Sequence, residues 1–106
     1  MGDRRNVEVI DNGKSVFLYT HWQGTDLPKI VQNALRRGKD RLDDGPYLTR
    51  IIFSEMIRDD ILGTTGYGIS ANQQDANHNN IVVNVGLQKI VTDHKEMSLD
   101  DFIRQS

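Results

Sequence analysis

Apolar and polar positions alternate in two short runs at the start of the chain. Residues 6–10 and 15–21 are rich in β-branched, aliphatic and aromatic types, a composition that favours β-strands. The turn between them contains Asn12-Gly13, a pair that tolerates the positive φ angles of a tight hairpin. The pattern therefore predicts that the chain begins with a β-hairpin.

Two amphipathic helices are predicted next. Thr25 or Asp26 can cap the first helix, with Pro28 in its first turn, and the apolar positions that follow recur near the helical period. Asp44 can cap the second helix, which we expect over residues 46–58. Both helices have one apolar stripe, so each is expected to pack on a shared core.

The second half of the chain has shorter apolar runs between loop-like segments. A glycine-rich loop at residues 63–68 leads into residues 67–70, which can start a strand, and residues 81–85 are strongly β-prone. We expect residues 88–91 to pair with the end of that strand. Residues 98–105 open with a capping-box pattern and form a short helix, which must dock because so few residues are not helical alone in water.

These elements give the order ββααββα and a single compact domain over residues 1–106. The chain has the length of one ordinary domain, and its 37% hydrophobic and 26% charged residues are sufficient for a modest core. The expected fold is α+β, a small two-layer sandwich with helices on one face of a largely antiparallel sheet.

Charge and composition exclude several classes of function. The 13 Lys and Arg residues against 15 Asp and Glu give a net charge of −2; without a broad positive field, nucleic acid is not expected as a partner. The absence of cysteine excludes disulfides, a thiolate nucleophile and a cysteine-type zinc site. No apolar run suits a signal peptide or a membrane span, so we expect a cytoplasmic protein without membrane association.

The junction after the second predicted strand carries the most suggestive side chains. Tyr19, His21, Trp22 and Gln23 supply a phenol, an imidazole, the single tryptophan and an amide. Such a set can stack on a flat ring and hydrogen-bond its edge. In the alternative interpretation, Trp22 closes one end of the core and His21 merely ends a strand.

Glu55 lies on or beside the apolar stripe of the second helix. If it is buried, it needs a cation, which Arg4, Arg5 or Arg50 could supply. Beside His21 it would form a polar centre that binds a ligand or acts as an acid–base pair, although the two residues define no reaction class without a nucleophile. Alternatively, a slight helical rotation places Glu55 at the boundary, paired with a nearby Lys or Arg.

The loop at residues 63–68 offers the hydroxyls of Thr64 and Thr65, backbone N–H groups and the Tyr67 ring. These groups suit a phosphate or a ribose, although a plain flexible turn explains them equally well. The loop lacks the Gly-Lys-Ser/Thr of nucleotide-hydrolase loops. No metal or cofactor is expected: the three histidines lack metal-ligand spacing, His78 being interpreted as a solvated loop residue, and the run resembling a calcium loop lacks its Gly and Glu.

Five short motifs resemble a family of small uncharacterised proteins encoded by phages, prophages and bacteria. They are GDR at 2–4, YTHWxG at 19–24, LP at 27–28, RIIFxEM at 50–56 and TGYGIS at 65–70. The resemblance spans nearly the whole domain and carries no catalytic assignment. It implies a setting in the host cytoplasm, where such a protein interferes with a host pathway, for example by sequestering a nucleotide signal used in defence.

Our first hypothesis is a non-enzymatic protein that binds a small, planar, anionic, nucleotide-like ligand. Trp22 and Tyr67 would stack, Arg4 or Arg5 would neutralise a phosphate, and Glu55 or Gln23 would contact a base or ribose edge. The full candidate site consists of Arg4, Arg5, Tyr19, His21, Trp22, Gln23, Glu55, Thr64, Thr65 and Tyr67.

The alternative hypothesis is a protein–protein inhibitor or adaptor of a host protein, which uses a sheet edge and the short helix in residues 98–106. An enzyme that uses His21 and Glu55 as an acid–base pair is the weakest of the three hypotheses. A homodimer is compatible with each of them, because a small lean domain gains core by association.

Overall fold

The computed structural model describes residues 2–106, in which six strands and three α-helices are present. The strands are β1 (Arg5–Asp11), β2 (Lys14–Thr20), β3 (Tyr67–Ser70), β4 (Ile81–Asn84), β5 (Lys89–Thr92) and β6 (Lys95–Ser98). The helices are α1 (Leu27–Arg37), α2 (Gly45–Met56) and α3 (Leu99–Arg104), with a 3-10 turn at Lys39–Arg41. The α+β class is confirmed. The predicted order ββααββα is wrong, because four strands separate α2 from α3.

The strands form one mixed sheet in the order β3-β2-β1-β4-β5-β6. All neighbouring strands are antiparallel except β1 and β4, which are parallel. Val7 is opposite Leu18 on one side and Ile81 on the other. Because α1, α2 and β3 lie between β2 and β4 along the chain, β4 can enter the sheet beside β1 in the parallel direction.

Two tight turns explain why one hairpin was predicted and the other was missed. Asn12 and Gly13 have φ angles of 54° and 74°, as the predicted turn between β1 and β2 requires. Between β5 and β6, Asp93 and His94 adopt φ angles of 50° and 69° without any glycine. An Asp-His pair is a weak signal for such a turn, so β6 was not predicted.

The core lies between one face of the sheet and a layer of helices in which α1 contacts both α2 and α3. Side chains on alternate strand positions of this face are almost fully buried. From the sheet they are Val7, Val9, Leu18, Ile81, Val83 and Ile90; from the helices they are Leu27, Val31, Ala34, Leu35, Leu48, Ile52, Met56, Leu99 and Phe102. None of the helices in the described residues is long and apolar enough to cross a membrane.

Loop segments cover only part of the opposite face of the sheet. Phe17, Val82 and Val91 on this face are partly exposed. At one end, the segment that contains Gln74 covers Asn6, which is fully buried. The Asn6 amide donates to the Gln74 carbonyl over 2.8 Å and accepts from the Gln74 N–H over 3.2 Å. The segment between β3 and β4 therefore covers the end of this face where β1 begins.

The helices begin largely where their capping signals lie. Asp44 accepts a hydrogen bond from the Tyr47 N–H at the start of α2, and Ser98 accepts one from the Asp101 N–H at the start of α3. Asp26 occupies the N-cap of α1, but its side chain makes no capping bond. Local signals therefore locate all three helix starts, and side-chain capping contributes to two of them.

The short helix α3 docks on α1, as its length requires. Leu99 and Phe102 are buried. The Gln32 side chain of α1 donates to the carbonyl of Phe102 over 2.8 Å, and Arg36 Nε donates to that of Ile103 over 2.8 Å. Because these bonds satisfy carbonyls that a helix end leaves unpaired, α3 is part of the domain's packing rather than a free arm.

We expect Phe102→Ala to lower the free energy of unfolding by about 3–4 kcal/mol, because it leaves a cavity between α1 and α3. The control Arg104→Ala removes an exposed side chain whose ion pair with Asp101 is solvated. We expect this control to lower the free energy of unfolding by less than about 1 kcal/mol. Urea unfolding monitored by circular dichroism measures both values. Equal stability of the two variants would show that α3 is not part of the core.

Candidate functional site

Four aromatic rings meet where β2 ends and β3 begins. Tyr19, His21, Trp22 and Tyr67 form a chain of edge-to-face contacts, with ring centroids separated by 6.3, 5.4 and 6.2 Å in that order. The Tyr19 hydroxyl lies 3.0 Å from His21 Nδ1, within hydrogen-bonding distance. The structure therefore brings together the four aromatic residues proposed from the sequence. We refer to Tyr19, His21, Trp22 and Tyr67 as the aromatic cluster.

Gly66 holds the loop before β3 against the indole of Trp22. Its φ angle is +92°, and a Cβ atom at this position would lie 1.9 Å from Trp22 Cζ3. Its carbonyl accepts a hydrogen bond from the His21 N–H over 2.8 Å. Only glycine meets both the backbone and the space requirement. One side of the indole is thus packed, while half of the Trp22 surface remains exposed.

The turn after β2 is organised by Thr20, which is fully buried. Its hydroxyl accepts hydrogen bonds from the N–H groups of Trp22 and Gln23, over 3.3 and 3.1 Å. Among residues 2–106, the buried Oε1 of Gln23 has no hydrogen-bond partner.

The phenol of Tyr67 has a raised pKa. Its burial is the largest cause and the negative charge of Asp60 is the second, so the hydroxyl stays protonated.

A short arm before β1 passes along the same junction, and its backbone is bonded at Asp3. The Asp3 N–H donates to the His21 carbonyl over 2.7 Å, and the Gly24 N–H donates to the Asp3 carbonyl over 2.8 Å. The Asp3 carboxylate accepts from the Thr25 N–H over 2.9 Å and from His78 Nε2 over 2.5 Å. These bonds, the Thr25 N–H first and the His78 imidazole next, lower the pKa of Asp3 to about 2.

Arg4 lies beside His21 on the face of the sheet that the helices do not cover. A Cβ atom on Gly2 would lie 3.1 Å from Arg4 Cγ and 2.9 Å from His21 Nε2, so the two side chains flank the same glycine. The Arg4 backbone exchanges hydrogen bonds with Asn77, over 2.8 and 3.0 Å. Within the described residues, Nη1 and Nη2 of Arg4 have no partner. The guanidinium is therefore available to an anion next to the aromatic cluster.

Arg5 is buried, with 2% of its side chain exposed. Its Nε donates to the Asn79 carbonyl over 2.9 Å, Nη1 to the Gly24 carbonyl over 3.2 Å and Nη2 to the Asp93 carboxylate over 2.8 Å. Each of its three nitrogens is engaged with a different loop. The structure thus places Arg5 as an internal clamp and leaves Arg4 as the arginine at the surface.

Glu55 lies beside the core with its side chain largely buried, and its partners are Arg37 and Arg58 rather than Arg4, Arg5 or Arg50, which the sequence suggested. Its carboxylate pairs with Arg37 Nε over 3.1 Å and Arg58 Nη1 over 2.9 Å, and only 9% of its side chain is exposed. It lines a groove with Ile61 on the outer side of α2. In the part of the chain that the structure describes, no hydrogen bond or ion pair connects it with His21. The two residues form no acid–base pair.

Thr64 and Thr65 are exposed in the loop that leads to Gly66. Neither side chain makes a hydrogen bond to another described residue. The hydroxyls are thus accessible in the two positions before Gly66, the residue that packs on Trp22.

Three residues of this region were missed or misread in the sequence: Asp3, Asn77 and His78. The interpretation of His78 as a solvated loop residue is wrong, because the ring is bonded to the Asp3 carboxylate. Asp3 and His78 are 75 positions apart, and no local pattern signals a contact over that separation. Among residues 2–106, no group of three His, Asp or Glu side chains is arranged to hold a metal ion.

No protein-family model, curated protein or solved structure matches this chain.

We expect Arg5→Met to lower the free energy of unfolding by about 2–4 kcal/mol, because it leaves the carbonyls of Gly24 and Asn79 without their donor. Arg4→Met is the matched control and is expected to cost less than about 1 kcal/mol. Urea unfolding at neutral pH compares them. If Arg4→Met proved the more destabilising substitution, the clamp role of Arg5 would be wrong.

The lowered pKa of Asp3 predicts a defined pH dependence of stability. Because the pKa is about 2 in the folded protein against an ordinary 3.8, the carboxylate adds stability above the ordinary value, and this stability is lost as the pH falls towards 2. Wild type should therefore melt above Asp3→Asn at roughly pH 6, and the gap should close towards roughly pH 2. The control Asp75→Asn alters an exposed carboxylate without a hydrogen bond to any described residue and should show no such convergence.

Proposed function

We propose that the protein is a non-enzymatic binding protein for a small, planar, anionic ligand of the nucleotide type. The proposed binding surface consists of Arg4 together with the aromatic cluster. The observation that carries the proposal is a half-exposed indole, held in place by Gly66, in the same junction as an arginine with two nitrogens that bond to no other residue of 2–106. An aromatic face and a guanidinium in one place suit a flat ring that bears a phosphate.

The local charges favour one orientation of this ligand. The negative charge of Asp60 raises the pKa of the Tyr67 phenol, so that side of the aromatic cluster is unfavourable for an anion. Arg4 lies on the other side, next to His21. We therefore place the phosphate at Arg4 and the ring on Trp22.

The geometry favours binding over catalysis. His21 is bonded to the phenol of Tyr19 rather than to a carboxylate, and Glu55 is neutralised by two arginines on the outer side of α2. An imidazole and a phenol that hold each other's orientation suit recognition of a fixed ligand shape. The resemblance to phage-encoded proteins leads us to propose sequestration of a nucleotide signal used in host defence as the setting.

The runner-up function is inhibition or adaptor binding of a host protein. Its proposed interface, a sheet edge with residues 98–106, loses support at the helix, since Leu99 and Phe102 are buried against the domain itself. The sheet edge remains as its candidate surface. Deletion of residues 98–106 would unfold the domain if α3 is core, and would leave a folded protein unable to bind its partner if α3 is the interface.

We expect a nucleotide to be released when the purified protein is denatured after native mass spectrometry. If the purified protein carries none, titration with a panel of mono-, di- and cyclic nucleotides is monitored by the fluorescence of Trp22, the only tryptophan in the chain. A ligand that binds the folded state also raises the melting temperature. The proposal is wrong if no nucleotide is released and no member of the panel changes the fluorescence or the melting temperature.

We expect Arg4→Met and Trp22→Ala each to weaken nucleotide binding by about 10-fold to 100-fold, the loss of one charged hydrogen bond or one stacking contact. Matched controls are Arg104→Met and Tyr47→Ala, which remove an exposed arginine and an exposed aromatic ring elsewhere. Isothermal titration calorimetry measures all four variants without the tryptophan signal. Equal effects of the site and control variants would exclude this surface as the binding site.

A further inference from the structure

The two edges of the sheet differ in their protection against pairing with another strand. The edge strand β6 carries the exposed charges of Lys95 and Glu96. The edge strand β3 consists of Tyr67-Gly68-Ile69-Ser70, without a charged residue or a proline. Natural edge strands normally carry charges, prolines or bulges because their free N–H and C=O groups pair readily. The β3 edge has none of these side-chain features.

An exposed apolar side chain and an apolar groove lie at this unprotected edge. Ile69 of β3 is 60% exposed. Between α2 and Ile69 runs an apolar groove of about 430 Å³. Its lining includes Pro46, Thr49, Arg50, Phe53, Ile57 and Ile69. An exposed isoleucine that continues into an apolar groove on an unprotected edge marks an interaction surface rather than ordinary scattered exposure.

Helix α2 runs along this edge in the direction opposite to β3. Its first residues, with Pro46, share a groove with Val16 near the start of β2. Beyond the other end of α2, the negative charge of Asp60 raises the pKa of the phenol of Tyr67, the first residue of β3. Because β2 and β3 are antiparallel, the start of α2 lies towards the end of β3, and its end lies towards the start of β3.

We propose that β3 pairs antiparallel with β3 of a second copy of this chain, which forms a homodimer with a continuous sheet across a two-fold axis. The same axis places α2 beside the antiparallel α2 of the second copy. Arg50 in the first half of the helix then faces Asp59 and Asp60 of the second copy, and the reciprocal contact forms as well. All three side chains are exposed in the single chain.

This charge complementarity selects a second copy as the occupant. A two-fold contact is self-complementary only if opposite charges lie on opposite sides of the axis. Helix α2 has Arg50 before its middle and the two aspartates beyond its end, where the neighbouring Arg58 is already paired with Glu55 over 2.9 Å. The apolar grooves of the two copies would cover each other. The proposal does not depend on the bound ligand, so it can fail while the proposed function holds.

Sedimentation velocity tests the dimer with the full-length protein. We expect wild type to be dimeric at roughly 100 µM and Ile69→Lys to raise the dimer dissociation constant at least about tenfold, because two ammonium groups would meet near the axis. Leu87→Lys is the matched control: Leu87 is 68% exposed in the turn between β4 and β5, and this variant should dimerise like wild type. A monomeric wild type, or equal dissociation constants for the two lysine variants, overturns the proposal.

A cysteine variant tests the geometry of the pairing. The chain has no cysteine, and a Cβ atom on Gly68 would meet nothing within 4 Å, so Gly68→Cys introduces one accessible thiol into β3. We expect mild oxidation to give a covalent dimer that a reductant dissolves. Gly86→Cys is the control, in an exposed turn where a Cβ atom would make only an ordinary contact, and it should stay monomeric on a denaturing gel.

Exchange of the charges provides a further arm. Arg50→Glu alone should weaken the dimer, and Arg50→Glu with Asp59→Lys and Asp60→Lys should restore it, because the reversed charges again attract. Failure of the triple variant to recover dimerisation, or crosslinking through position 86 instead of 68, would contradict the proposed two-fold arrangement. A monomer that captures a host protein through Ile69 would show that the edge serves the runner-up function.

Discussion

The buried guanidinium of Arg5 is the interaction on which the candidate site depends. Removal of this charge from water is unfavourable unless its nitrogens find acceptors within the protein. The acceptors come from three loops, through Gly24, Asn79 and Asp93. Since one rigid planar group fixes all three, the turn after β2, the segment before β4 and the β5–β6 turn are held in one relative arrangement.

This clamp explains why the surface around Trp22 is ordered although loops build most of it. The arm at Asp3 is bonded to the same turn and, through its carboxylate, to His78. From the other side, Gly66 packs against the indole. A surface held in this way loses little conformational entropy when a ligand binds, which suits a protein whose proposed role is to bind rather than to react.

Strand β3 connects the two surfaces for which we propose functions. The ring of Tyr67 contacts Trp22, whereas the backbone of the same strand forms the free edge beside α2. Pairing at that edge would immobilise a strand of four residues that has only β2 as its neighbour. Self-association and ligand binding would then stabilise the same strand.

Short-range signals in the sequence determined much of the local structure. Asn12-Gly13 located the first hairpin, and Asp44 and Ser98 located two helix starts, because each signal acts within about four residues. The aromatic cluster was found because its members lie next to the ends of predicted elements. The turn at Asp93 was missed, and β6 with it, because residues other than Asn or Gly adopt the positive φ angles there.

The tertiary structure alone decided the roles of the charged residues. Arg4 and Arg5 are adjacent and look equivalent in the sequence. In the structure, Arg4 lies at the surface, whereas Arg5 is buried and bonded to Asp93, which is 88 positions away in the chain. Likewise, Glu55 pairs with Arg37 because α1 and α2 are packed together. The parallel pairing of β1 with β4 brings these distant partners into place. Local propensities carry no information about such contacts, because their free energy arises only when the whole sheet is assembled.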